Sequence, residues 1–236
     1  MLMKLPKRFN LGIKLSIIAL FIIGLTVFGF LRSDRLGAVA ASPQSTKANV
    51  AASTCGSWRV VASPSYRQSY FNSVAAISAS DVWAVGTYDL TINSGPSGTL
   101  IEHWNGSTWS ITPPVITSSW LNGVAALASN DVWAVGANYN TTIRRYQTLT
   151  EHWNGSSWSV VSSPNPSNLS GQVSLNSIVA ISANDIWAAG DSQIGNGNYQ
   201  TLIEHWDGTQ WSIIASPNVG SSSFSNYQYG IAAVSS

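Results

Sequence analysis

Three acid and imidazole pairs, Glu102-His103, Glu151-His152 and Glu204-His205, are the residues of this chain best equipped for chemistry. Converging carboxylates and imidazoles transfer protons or hold metals. Each pair, however, lies in a short alternating stretch (LIEHW, LTEHW, LIEHW) that reads as a strand. Neighbours on a strand point to opposite faces, so a glutamate and its own histidine cannot act as one couple. The chain's three histidines share one recurrent position, and Asp81, Asp131 and Asp185 recur in the same way. That regularity points to scaffold: histidines bonding between strands or blades, aspartates capping turn amides. No nucleophile motif, phosphate loop or zinc spacing appears. The expectation is a chain with no catalytic residue, no metal site and no cofactor.

The elements that carry these residues are repeats. FNSVAAISASDVWAVG at 71–86 recurs as LNGVAALASNDVWAVG at 121–136 and LNSIVAISANDIWAAG at 175–190. TLIEHWNGSTWSITPP at 99–114 recurs at 148–164 and 201–217. A period near fifty residues signals a solenoid, propeller or array. Strand and turn signals divide each unit into four: a small apolar strand, the DVWAVG strand, the EHW strand and a short strand opened by Trp109, Trp158 or Trp211. Asn105-Gly106, Asn154-Gly155 and Asp207-Gly208 are hairpin turns, since those residues tolerate positive φ. Four-stranded units of this length, set radially, are propeller blades, and they suit this pattern better than the shorter coils of a β-solenoid.

DVWAVG followed by EHWNGSSWS resembles the propeller repeats of many secreted bacterial proteins, grouped with the BNR/Asp-box sialidase-like and kelch-like superfamilies. The resemblance covers 56–236 and implies an all-β propeller of four-stranded blades. Against the strict Asp-box pattern S-x-D-x-G-x-T-W, only the GSTW end at 106–109 matches, and Trp104 stands at the aspartate position. Sialidase chemistry is therefore not carried onto these residues.

The expected organisation is a signal peptide or signal anchor at 1–35, an Ala/Ser/Thr-rich linker at 36–55 and an incomplete propeller at 56–236. Complete repeats fall near 71–117, 121–167 and 175–217, with partial units at 56–64 and 227–236. The N-terminal part carries four positive charges before seventeen uncharged residues at 15–31, the basic-then-apolar order of an export signal and one hydrophobic helix. Ala38-Val39-Ala40 suits cleavage, whereas the polar Arg32-Ser33-Asp34-Arg35 favours a retained membrane anchor. Three complete blades fall short of the four to eight of known propellers. That deficit points to a truncated ring or to self-association that completes it.

Six of the eleven basic residues precede position 36, which leaves five against nine acidic ones in the remainder. Nucleic acid is thereby an unsuitable partner. The single cysteine, Cys55, excludes an intramolecular disulfide. Strand alternation puts the short recurrent turns on one face and the variable connections on the other, and recognition is usually placed in such loops. Tyr88, Tyr139, Arg144, Arg145, Tyr146 and Tyr199 lie there and are the candidate ligand-binding residues. The expected function is a non-enzymatic extracytoplasmic module that binds a glycan or protein at the cell surface. The alternatives are a fragment of a sialidase-like hydrolase or lyase, and a purely structural surface protein.

Overall fold

The structure, a computed structural model, describes residues 60–64, 66, 68–89, 97–195, 197–220 and 223–234. Met1–Gly56, which holds the expected N-terminal helix, the linker and Cys55, lies outside the described residues. Ser57–Ser236 forms one compact unit.

Twelve strands make three four-stranded antiparallel sheets, each meandering in chain order. The first holds β1 (Gln68–Ser78), β2 (Asp81–Asp89), β3 (Ser97–Trp104) and β4 (Trp109–Thr112). The second holds β5 (Ser119–Ala128), β6 (Asp131–Asn140), β7 (Arg145–Trp153) and β8 (Trp158–Val161). The third holds β9 (Leu169–Ser182), β10 (Asp185–Ile194), β11 (Tyr199–Trp206) and β12 (Trp211–Ile214). These are the three blades expected from the repeats, in an all-β fold.

The blades pack face to face, and the alternation of DVWAVG decides how. Trp83 and Val85 of the first blade meet Leu121, Val124, Val132, Leu149 and Trp158 of the second. Trp133 and Val135 of the second meet Leu175, Ile178, Ile186, Leu202 and Trp211 of the third. β2 and β6 thus give their Trp-x-Val face to the next blade, while β6 and β10 give the alternate residues, Val132 and Ala134 or Ile186 and Ala188, to the preceding one. Indole edges lock the contact: Trp133 lies 5.0 Å from Trp206 and 5.7 Å from Trp211, centroid to centroid. Aromatic pairs at such distances add to plain area burial.

Two backbone features explain why glycine recurs. A Cβ on Gly136 would stand 1.9 Å from the Trp120 carbonyl oxygen, so the bulge in β5 can close on β6 only over a bare backbone. Gly155 turns the β7–β8 hairpin at φ 93° and lets it rest on Asn130 of the β5–β6 turn.

A polar ladder also runs from blade to blade. Asn72 donates to the Leu121 carbonyl at 2.8 Å, Asn122 to Leu175 at 3.0 Å, and Asn176 to Gln228 at 2.9 Å. The Ser73 hydroxyl accepts from Val124 N–H, and Ser177 accepts from Ile231 N–H, both at 3.3 Å. The segment around Gln228 and Ile231 is thereby held against the third blade as β5 and β9 are held against the blades before them.

The outer face of the first blade has no blade against it among the described residues. Phe71 is 46% exposed where its counterparts Leu121 and Leu175 are fully buried. A cleft of about 400 Å³ opens there, lined by Val61, Ser63, Phe71, Val74, Glu102 and Trp109. At the other end Trp187 is half-buried, although Trp83 and Trp133 are sealed.

Candidate functional site

The recurrent acid and imidazole residues separate onto the two faces of each blade, as strand alternation requires. His103, His152 and His205 accompany Trp83, Trp133 and Trp187 in register and lie on the face toward the next blade. Their Nε2 atoms bond to Asp81, Asp131 and Asp185 at 2.8, 2.9 and 2.9 Å, and the imidazoles lie over the indoles at 4.2 to 4.3 Å. Trp133 and Trp187 add indole N–H bonds to the same aspartate oxygen. Asp81 also receives the Ser129 hydroxyl of the next blade at 2.5 Å. Burial pushes the Asp81 carboxyl up, but the Ser129 and His103 bonds outweigh it and hold it below its ordinary value. Each imidazole is thus clamped between an indole and a carboxylate within its own blade.

The glutamates point the other way. Glu102, Glu151 and Glu204 pair with Ala84, Ala134 and Ala188 and are completely buried; Glu151 and Glu204 face the preceding blade, whereas Glu102 lies on the outer face of the first blade at the cleft. None of their carboxyl oxygens meets hydrogen-bond geometry with a described group. Burial pushes Glu151 up to about 7. Burial likewise takes Glu204 up to about 8, against a smaller opposing pull from the Ser163 hydroxyl across the junction. Glu102 is raised by burial too, opposed by Ser63. At neutral pH Glu204 is thereby held mostly as the neutral acid in the junction between the second and third blades.

The face formed by the β2–β3, β6–β7 and β10–β11 hairpins is chemically different. Its strands run further than the variable sequence suggests. β6 and β7 stay paired out to Asn140 and Arg145, which leaves only 141–144 as a turn. Tyr88, Tyr139, Arg145, Tyr146 and Tyr199 therefore stand on strand ends, and Arg144 alone of the six sits in a turn. Pairing persists because the polar residues of these segments still complete the backbone ladder.

Four of the six lie on the β6–β7 hairpin of the second blade, and the structure brings two of them, Tyr139 and Tyr146, into contact. Tyr139 and Tyr146 are directly paired across β6 and β7, with rings 5.1 Å apart and edge on. Trp120 joins them at 4.9 Å from Tyr146. All three rings are half-buried, so each is held in place while showing part of its surface. Arg144 and Arg145 follow at the exposed hairpin tip. Asn140 shapes that tip: its side-chain oxygen accepts from Thr142 N–H at 3.0 Å and its amide donates to Gln147 at 2.7 Å. Arg144 closes the turn at φ 53°, a left-handed conformation unusual for a residue with a side chain.

The other two candidates lie apart. Tyr199 sits near Tyr227, at 5.1 Å, and its hydroxyl bonds to Gln172 at 3.2 Å. Burial, then Tyr227 and Asp191, raise its phenol. Tyr88 is only 5% exposed, stacked under Tyr66 at 4.2 Å. Trp120, Tyr66 and Tyr227 escaped the sequence reading. Trp120 and Tyr227 stand just before the first-strand motifs, a place where Tyr70 is aromatic too.

No protein-family model matches the chain. No curated protein matches it either. Among solved structures it is similar to a fucose lectin from Kordia zhangzhouensis in complex with methyl-fucoside, at 12% identity. That match covers 62% of this chain and 99% of the lectin, with a TM-score of 0.40.

Proposed function

We propose that this chain is an extracytoplasmic, non-enzymatic β-propeller recognition module that binds a glycan on its hairpin face, centred on Trp120, Tyr139 and Tyr146. The carrying observation is the three-ring wall: half-exposed aromatic surfaces held against one another at one hairpin. A pyranose offers a flat C–H face that packs on such rings, while its hydroxyls meet polar side chains around them. Tyr199, with Gln172 and Tyr227, provides a second surface of the same kind, and Tyr88 serves as its buried counterpart in the first blade. The non-enzymatic reading is supported by the engagement of every histidine with an aspartate and by the sealing of Glu151 and Glu204 between blades. Export is supported by the basic-then-apolar order of the first thirty-five residues, and kinship to BNR or kelch repeats by the recurring DVWAVG and EHWNG motifs.

A glycan array probed with the full chain tests this function. Binding to a defined oligosaccharide, lost on Trp120→Ala or Tyr146→Ala in a chain that keeps its thermal transition, is the expected result. No glycan bound, with capture of a protein ligand instead, would sink the glycan reading.

A further inference from the structure

The segments on either side of the three blades stand where strands of further blades would stand. Beside the third blade, the Gln228 carbonyl accepts from Asn176 at 2.9 Å as the Leu175 carbonyl accepts from Asn122 at 3.0 Å, and the Ile231 N–H reaches Ser177 as the Val124 N–H reaches Ser73, both at 3.3 Å. Residues 228–234 (QYGIAAV) are thus placed as a first strand, the counterpart of FNSVAAI at 71–77. Beside the first blade, Val61 lines the cleft with Phe71 and Trp109, and Ser63 stands by Glu102 as Ser163 stands by Glu204. Residues 60–64 are thus placed as a fourth strand. Neither segment is paired with a strand among the described residues. Trp187 accordingly stays half-buried, and Ile181 is exposed where Ile77 and Leu127 are packed into the junctions.

We infer that residues 228–234 are an acceptor strand for a β-hairpin of the DVWAVG and EHW pattern, carried by another polypeptide chain, which adds to their free edge and closes over Trp187. The pairing rules of the complete blades select that occupant. A first strand pairs with the DVWAVG strand and a fourth strand with the EHW strand, β1 with β2 and β4 with β3, so the element with a ladder for both flanking segments is the hairpin of the two middle strands. Each of the three hairpins of this pattern in the sequence is already paired in its own sheet, in this copy as in a second one. The occupant is therefore a further hairpin of the repeat. Register names the bond that carries the addition. In β5 the Val124 N–H turns to Ser73, so the donor aimed at β6 is the next one, that of Ala125, opposite Trp133. Ala232 is the exposed counterpart of Ala125, and its N–H is the donor that the added strand accepts.

The test is titration of the unmodified full chain into a labelled synthetic peptide of residues 131–153, the sequence of the β6–β7 hairpin, read by fluorescence anisotropy. Saturable binding is expected, weaker by about tenfold or more for a peptide carrying Val132→Lys and Leu149→Lys, since those side chains meet the preceding blade. Ala232→Pro in the chain is expected to weaken binding by about tenfold or more with the thermal transition preserved, because proline removes the ladder donor at an exposed position outside the three sheets. No binding of the peptide overturns the inference, and so does equal binding by the lysine peptide or by the Ala232→Pro chain. Self-association of the full chain in sedimentation, abolished by Ala232→Pro, would put a second copy on this edge and overturn it too. The glycan reading of the second blade is untouched by any of these results.

Discussion

The side-chain amide of Asn122 in β5 donates to the carbonyl of Leu175 in β9 at 3.0 Å, crossing from the second blade to the third. Asn72 and Asn176 make the same bond at the neighbouring positions, so one polar residue per repeat fixes how far each blade is offset from the next. Apolar faces alone would let the sheets slide, because burial is non-directional. Removing this donor leaves a carbonyl in a half-buried place without its partner. Asn122→Ala is expected to lower unfolding stability by about 1–3 kcal/mol, read by urea denaturation. An unchanged midpoint would show that the ladder is incidental.

Buried acids make stability depend on pH in a definite direction. Glu151 and Glu204 titrate near 7 and 8 in the folded chain, against an ordinary value of 4.5. Above pH 4.5 the folded chain therefore keeps protons that the unfolded chain has released, and each rise in pH favours unfolding. Their contribution is complete below about pH 4.5 and lost as pH climbs through 7 to 8. Thermal scans from about pH 5 to pH 9 should show a falling midpoint, and Glu151→Gln with Glu204→Gln should flatten that fall. A midpoint that rises over the same range in the unmodified chain would contradict the burial of neutral acids.

At Gly136 the prediction concerns space. A methyl group there meets the Trp120 carbonyl oxygen at 1.9 Å, and the obstacle is backbone rather than a flexible side chain. Gly136→Ala should cost more than about 2 kcal/mol, measured by denaturant titration, through separation of β5 from β6. A cost within a few tenths of a kcal/mol, comparable to exposed positions, would mean the bulge relaxes freely.

Arg144 offers the opposite case. Its φ of 53° is strained for an arginine and easy for glycine, so Arg144→Gly is expected to raise stability by about 0.5–1 kcal/mol. Coupled with weaker binding of the oligosaccharide found on the array, this gain would mark a residue retained for function rather than for folding. A loss of stability would instead show that the arginine side chain braces the turn.

Much of the fold was legible because the repeats carry their own punctuation. Asn-Gly and Asp-Gly pairs, the DVWAVG alternation and the EHW strand located all four strands of each blade. The separation of Glu151 from His152 onto opposite faces followed from strand geometry alone. Strand length was less legible. Polar stretches such as 137–147 read as loop, yet backbone pairing through Asn140 and Arg145 needs no apolar side chain. The same limitation hid the Asn ladder. Asn72, Asn122 and Asn176 recur in plain sight, but a polar residue on a first strand reads as solvent-facing until the neighbouring blade supplies its acceptor. The aromatic wall was half visible, since Tyr139 and Tyr146 lay in the variable segment while Trp120 arrives from the connection between blades.

The glycan reading is tested most directly by calorimetry with the tightest-binding oligosaccharide from the array, titrated into the unmodified full chain and into Trp120→Ala. Loss of affinity by about tenfold or more, with the thermal transition preserved, is the expected result. Equal affinity for both proteins would place the sugar away from the Trp120–Tyr146 wall and contradict the site proposed for it.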